Sequence, residues 1–385
     1  MAQKYIWQSP DWPQWRYDLA DLASLLEQVV KRQGCLYGRL ADVGFDLRDQ
    51  AMLETLTEDI VKSSAIEDEV LSPSSVRSSI ARRLGIEHVA SAPSDRHVDA
   101  MVDIMLDATT RAVEPLTERR LFGWHAALFP SGYSGLMPIT VGKWRSDTHG
   151  PMQVVSGPSG SPHRQKVHYE APPAATLPRQ MQVFLDWVNS VNVQPLPTEP
   201  GLLRAGIGHL WFVTLHPFDD GNGRIGRAIG DLLLARADNS KQRFYSLSAQ
   251  IQSQRKAYYD VLERTQKPLR ETAAMDITPW LDWFLNQMLL ALDSAHATVD
   301  SVLVKAKFWQ HWAGVSLNPR QIKMLNRLLD GFDGKLTSSR WGSMTMCSPD
   351  TALRDIRQLI DLGVMCRAPG SGRATSYVLT QSHVA

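Results

Sequence analysis

Most of the chemistry this chain can offer is concentrated in one run, His216-Pro-Phe-Asp-Asp-Gly-Asn-Gly-Arg-Ile-Gly-Arg227. The apolar stretch Leu202–Leu215 leads into it and must stop at His216, because Pro217 cannot continue a helical hydrogen-bond ladder. Gly221, Asn222 and Gly223 allow unusual backbone dihedrals and present successive N–H groups. A second apolar helix is expected at once, over about residues 224–236. Its free first-turn N–H groups and positive dipole end suit an anion, phosphate above all. Arg224 and Arg227 add fixed charge in planar forks that match phosphate oxygens. Asp220 would repel a bare phosphate, and a bridging Mg²⁺ removes that conflict. His216 titrates near neutral pH and can serve as a base. Together these residue types describe phosphoryl or nucleotidyl transfer from a metal–polyphosphate.

Three rival readings attach to the same residues. Gly221, Gly223 and Gly226 form a literal dinucleotide fingerprint. However, the Gly-Asn-Gly turn begins only at the sixth residue after the apolar run, and only Asp238 approaches the acidic position such a fold requires. His209 and His216, seven apart, could share a metal with Asp219 or Asp220, although a histidine on an apolar helix more often fills a core. A purely structural turn is disfavoured by the two arginines, two acids and one histidine around it.

The run resembles the signature HxFx[D/E]GNGRxxR of the Fic family of AMP-transferring enzymes, with every fixed position matched. The resemblance spans about residues 116–266. It implies that His216 deprotonates a Ser, Thr or Tyr hydroxyl of a target protein. It also implies that Asp220 holds Mg²⁺ on the α- and β-phosphates of ATP, and that Gly221, Asn222 and Gly223 form the anion hole. Arg224 would contact the leaving phosphates and Arg227 the γ-phosphate. Doc-type relatives carry Ala-Asn-Lys where this chain has Gly221-Asn222-Gly223, so transfer of AMP with release of pyrophosphate is the expected direction. The family's target-holding hairpin flap falls at residues 153–169. There Val154, Val155, Ser156 and Gly157 align with positions near the nucleotide, while Tyr259 and Gln266 fall on the adenine side. The family's inhibitory motif [S/T]xxxE[G/N] matches at Ser63 and Glu67, which share one helix face. By resemblance Glu67 pairs with Arg227 and takes the place the γ-phosphate needs. The same glutamate can also place water for the reverse removal of AMP. Asp68 departs from the motif's Gly or Asn.

The elements that must position these residues are mostly helical. Residues 1–90 read as helical, with Leu19, Leu22, Leu25, Leu26 and Val29 on one stripe. The turn-rich Ala90–Asp95 joint sets the first boundary. Helix is expected over 98–128, two short β-type runs at 153–155 and 167–169, and a helix whose stripe is Leu177, Met181, Phe184, Leu185 and Val188. The chain from Asn318 onward reads as winged-helix-like. Ile322, Leu325, Leu328 and Leu329 form one stripe. Ser348 and Pro349 open a second helix, Gly363 closes it, and a hairpin follows. That module carries nine Lys/Arg against five acids, so DNA is one expected partner of residues 318–379. A protein or a second copy of the chain is the other, since Asp355 and Asp361 fall on the would-be recognition helix.

Composition bounds the rest. The net charge of +1 excludes a chain that binds nucleic acid through charge alone, and 43% hydrophobic residues exclude a disordered one. Three cysteines without a CxxC pair exclude a disulfide scaffold or cysteine zinc site and fit a reducing, cytoplasmic setting. The start lacks an apolar signal region, and no apolar run is long enough to span a bilayer. The expected architecture is mainly α, in three parts. Residues 1–95 are an N-terminal helical domain bearing the inhibitory helix, 96–305 a Fic-like core with a hairpin flap, and 306–385 a winged helix. The expected function is an ATP- and Mg²⁺-dependent protein adenylyltransferase restrained in cis. The rival is a DNA-binding regulator whose core only senses a nucleotide.

Overall fold

The computed structural model describes residues 5–41, 45–86, 93, 96–148, 150–157, 165–190, 200–240, 242–267, 275–329, 331–332, 334–369 and 375–380. Most of the 90–95 joint, the flap tip at 158–164, the proline-rich 191–199 stretch and Arg373 lie outside them. The chain divides into two compact units, residues 1–39 with 52–295 and residues 40–51 with 296–385. Among the described residues, no helix is long and apolar enough to cross a membrane.

The first unit is mainly helical, as the periodicity predicts, with one correction at its start. The helical content of residues 5–18 is a single 3-10 turn at Ile6–Gln8, and Arg16 forms a β-bridge with Asp276; Pro10 and Pro13 interrupt any helical ladder there. Helices α1 (Leu19–Ala41), α2 (Phe45–Ile66) and α3 (Pro73–Leu84) follow. α1 buries Leu22 and Val29, but Leu19 is 50% exposed because it opens the helix ahead of the buried stripe. α3 starts on the Ser72 cap with Pro73 at its first position and ends at Gly85 in the left-handed region, φ 75°.

α4 (Arg96–Thr110) and α5 (Glu118–Leu128) precede a short hairpin, β1 (Tyr133–Ser134) with β2 (Met137–Pro138), that the sequence did not announce. The expected hairpin is present: β3 (Gln153–Ser156) pairs antiparallel with β4 (Lys166–Glu170), with a register shift between Val154 and Val155. α6 (Leu177–Asn189) buries the five stripe residues expected of it. α7 (Gly201–Leu215) and α8 (Asn222–Asp238) form the centre, and their interface depends on small residues. A methyl group on Gly226 would stand 2.8 Å from Val213 Cγ1, tighter than packed atoms tolerate. α9 (Leu247–Ser253), α10 (Arg255–Gln266) and the long α11 (Thr278–His311) complete the sequence. Trp12 and Trp15 stack edge-on against Trp211, which fastens the N-terminal segment to α7.

The second unit includes α12 (Pro319–Leu329), α13 (Ser338–Thr345), α14 (Pro349–Asp361), β5 (Met365–Arg367) and β6 (Tyr377–Leu379), the two strands paired antiparallel. α13 is an addition to the expected order. Its signal was weak, a Thr337 cap and one buried large side chain, Trp341. Ser348 caps α14 through Thr351 N–H, and Gly363 takes φ 77° after its end, as expected. The α12 stripe needs correction: Ile322 is 40% exposed, whereas Gln321 and Met324 are buried. Gln321 is tolerated inside because its amide donates to Asp355 O at 3.1 Å and Gln358 Oε1 at 3.0 Å.

Candidate active site

The end of α7 and the start of α8 bring the signature residues together. His216 caps α7 in the left-handed region, φ 48°, with its N–H on Phe212 O at 2.9 Å. Its ring is fixed by Nδ1, 3.2 Å from Val213 O. A carbonyl only accepts, so Nδ1 carries the hydrogen and Nε2 keeps its lone pair. Burial pushes the imidazole down to about 4, against the opposing pull of the Val213 carbonyl. The ring is therefore neutral at pH 7, the form a base requires.

Behind it Arg145, 3% exposed, acts as a staple. Nε donates to His216 O at 2.8 Å, Nη2 to Pro172 O at 2.5 Å, and its backbone N–H to Pro217 O at 2.9 Å. Sequence reasoning missed it, because nothing near Arg145 in the chain announces a partner 71 residues away.

The turn is folded by Asn222. Its side chain receives Phe218 N–H at 3.0 Å and donates to Phe218 O at 2.8 Å, closing the loop on itself. Gly221 takes φ 80°, a conformation that favours glycine. α8 then begins, with Ile225 N–H on Gly221 O at 3.0 Å, so the N–H groups of its first turn lack intrahelical acceptors. Gly223 lies directly under the Glu67 carboxylate, so a methyl group there would push the Glu67 side chain aside.

Asp220 faces the cleft with its side chain 43% exposed. Ser134, from the unannounced hairpin, donates to Oδ2, and Gly221 N–H donates to Oδ1 at 2.5 Å. Mg²⁺ that arrives with a polyphosphate typically uses one or two carboxylates plus phosphate oxygens, and this oriented, accessible carboxylate beside a helix N-terminus fits that demand. The rival metal pair finds no support: His209 is 3% exposed and its Nε2 lies 2.9 Å from Tyr258 OH in the core.

Both signature arginines are buried, and both are occupied. Arg227 donates through Nε to Ser63 Oγ at 2.9 Å, through Nη2 to Ser63 O at 2.8 Å and through Nη1 to Glu67 Oε1 at 2.8 Å. The expected Ser63 and Glu67 are thus on Arg227. Arg224 Nη1 donates to both oxygens of Glu69, at 2.7 and 2.8 Å. Burial works to raise the Glu69 carboxyl, but its contacts with His97 and Arg224 outweigh this and hold it below the usual range. Between them Asp68 makes a bidentate pair with Arg255, at 2.6 and 2.7 Å. Asp68 sits at φ 62°, just past the end of α2. Glycine and asparagine are the usual residues in that conformation and aspartate also tolerates it, which explains its place in the motif. The one hint of Glu69 in the sequence was the acidic triplet Glu67-Asp68-Glu69, which equally suits a solvated turn.

These groups border a cleft of about 830 Å³. His216, Asp220 and Gly221–Gly223 line one side, and Val154, Val155 and Ser156 of the flap line another. Tyr259 and Gln266 line it from α10. Tyr259 is 38% exposed, while Gln266 is buried with its amide 3.1 Å from Thr214 Oγ1. Gly157, Ser63 and the two buried arginines stand outside this lining.

Residues 115–234 match the Fic/DOC family, and residues 5–86 match a domain of unknown function, DUF4172. Among solved structures, the chain is similar to a Fic family protein from Desulfovibrio desulfuricans. That match has 22% identity and a TM-score of 0.48, over 93% of this chain and 96% of that one. It is also similar to a Fic domain containing signaling protein from Bacteroides thetaiotaomicron, with 16% identity and a TM-score of 0.49, over 71% of this chain and 97% of that one.

Proposed function

From the match of residues 115–234 to the Fic/DOC family and of residues 5–86 to DUF4172, we propose that the protein transfers AMP from ATP to a hydroxyl of a target protein and is held inactive by its own α2 end. One observation carries the reading. Two carboxylates, Glu67 and Glu69, stand on the two signature arginines beside an amide turn built for anions. A site whose resting occupants are carboxylates is complementary to the oxygens of a polyphosphate.

Each residue has a definable task. Nε2 of His216 takes the proton from the incoming Ser, Thr or Tyr hydroxyl as that oxygen attacks the α-phosphorus, and the bond from that phosphorus to the α–β bridging oxygen breaks to release pyrophosphate. The N–H groups of the turn hold the charge that builds on the α-phosphate, where fixed donors stabilise a transition state strongly. Arg224 and Arg227, once freed, hold the remaining phosphates. Asp220 would hold Mg²⁺, which when bound would offset the phosphate charge. Arg145 and Asn222 keep the base and the amides in register. The flap receives an extended target segment by main-chain pairing. With labelled ATP and a cell lysate, Glu67→Gly should label lysate proteins and Glu67→Gly with His216→Ala should label none of them. Equal labelling by both variants would sink the reading.

A second reading concerns the second unit. Asp355, counted from sequence among the acids opposing DNA, is buried and paired with Arg320 Nε at 2.7 Å. The outer face of α14 presents Arg354 and Arg357 beside Asp350 and Asp361, and the excess of nine Lys/Arg over five acids in residues 318–379 is what favours a nucleic-acid partner for this unit. A salt-dependent mobility shift of duplex DNA tests it, and no shift at low salt removes it.

A further inference from the structure

The flap carries a second constellation that the transfer chemistry above leaves unused. Ser156 on β3 and His168 on β4 are diagonal neighbours on one face of the hairpin, since Ser156 pairs with Lys166 two residues earlier. Ser156 Oγ lies 2.6 Å from His168 Nε2, and His168 Nδ1 lies 2.7 Å from Glu263 Oε2 on α10. Lys267 donates to the other Glu263 oxygen at 3.0 Å and to Val167 O at 3.1 Å. Burial opposes the charge on Glu263, but the hydrogen bonds from His168 and Lys267 outweigh it, so the carboxyl sits below its ordinary range.

The directions of these bonds follow. An ionised carboxylate only accepts, so Nδ1 donates to it. In the neutral ring Nε2 then accepts, and the Ser156 hydroxyl donates. This is a nucleophile, a base and a group that orients the base, all within hydrogen-bond reach. All three side chains line the same cleft as His216 and the amide turn, and Ser156 is exposed.

We propose that Ser156 is an acceptor for AMP within its own chain, with His168 as its base and Glu263 orienting that base. The inference rests on the transferase reading. Ser156 Oγ attacks the α-phosphorus of ATP and an O–P bond forms. The bond from that phosphorus to the α–β bridging oxygen breaks, and pyrophosphate leaves. The hydroxyl proton passes to His168 Nε2. The product, AMP esterified to the flap, occupies the face on which a target segment would be held, so the modification limits further transfer.

The test uses the full chain carrying Glu67→Gly, incubated with ATP and Mg²⁺, digested and mapped by mass spectrometry. AMP is expected on Ser156, at a rate independent of protein concentration, and absent from that peptide when Ser156→Ala is added. Loss of a general base typically costs about 10²–10⁴-fold, so adding His168→Gln should slow Ser156 modification at least tenfold. AMP on other hydroxyls with Ser156 unmodified overturns this inference and leaves the transferase reading standing. AMP on no residue, with none passed to other proteins, overturns both. Modification of Ser156 that ignores His168→Gln removes the assigned base.

Discussion

Breaking the Glu67–Arg227 contact should raise affinity for ATP, and the structure sets the scale. Arg227 has three contacts here, two to Ser63 and one to Glu67. Only the Glu67 contact competes with a phosphate, because the Ser63 pair fixes the guanidinium from the other side. A hydrogen bond to a charged group contributes about 1.5–3 kcal/mol. At about 1.4 kcal/mol per factor of ten, vacating Nη1 is worth roughly 10- to 150-fold in binding a γ-phosphate. The Glu67 side chain is 30% exposed, so salt screens part of this and places the effect near the lower end. Titration calorimetry with ATP and Mg²⁺ on wild type and Glu67→Gly should therefore show about tenfold tighter binding. Transfer of labelled AMP should rise at least as much, because truncation also clears the carboxylate from above Gly223. ADP, which lacks the γ-phosphate, should gain far less. Thermal melts of both proteins guard against a folding artefact. Affinity and transfer both within twofold of wild type would refute the reasoning.

Three further outcomes are expected. In the Glu67→Gly background, transfer should stay level from pH 8 to about pH 5.5 and fall as the pH approaches about 4, because the His216 ring is held neutral down to that value; a fall centred near 6.5, the ordinary histidine value, would contradict it. His209 is also pushed down to about 4 by burial. The unfolded ring, near 6.5, takes its proton first, so global stability should drop as the pH falls from about 6.5 to about 4. Denaturant melts across that window should show a shallower drop in His209→Gln. Gly226→Val should lower stability by about 1–3 kcal/mol through the clash with Val213, read as a lower melting temperature.

The parts of this molecule legible in the sequence are those whose chemistry needs neighbours in the chain. The run from His216 to Arg227 works because a helix end, a turn and a helix start follow one another, so its function is written contiguously. The five buried residues of α6 and the Ser348 cap were readable for the same reason, since helix period and capping are local rules. What was not legible depends on distance along the chain. Arg145 reaches His216 O, and Glu69 reaches Arg224 from 155 residues away. Both are ordinary surface-type residues until the fold buries their partners. The Ile322 stripe misled for a related reason. Hydrophobicity chose the apolar residue, but the amide of Gln321 had partners on α14 and took the inside.

The geometry also explains why one glutamate is an incomplete description of the restraint. Glu67, Asp68 and Glu69 follow one another across the end of α2, where Glu69 N–H returns to Ser64 O at 3.1 Å and Asp68 adopts the left-handed conformation. Three acids on three arginines therefore share a single backbone hinge. If the three pairs acted independently, substituting Glu67 and Glu69 together would multiply their separate effects on ATP binding. On a shared hinge, losing either glutamate loosens the hold on the other, so the double substitution should fall short of that product. Residues in one ion-pair network typically show coupling of about 0.5–3 kcal/mol, which is large enough to measure. A cycle of Glu67→Gln, Glu69→Gln and both, read by ATP affinity, decides between the two. Strict multiplication would mean that Arg224 and Arg227 are guarded separately.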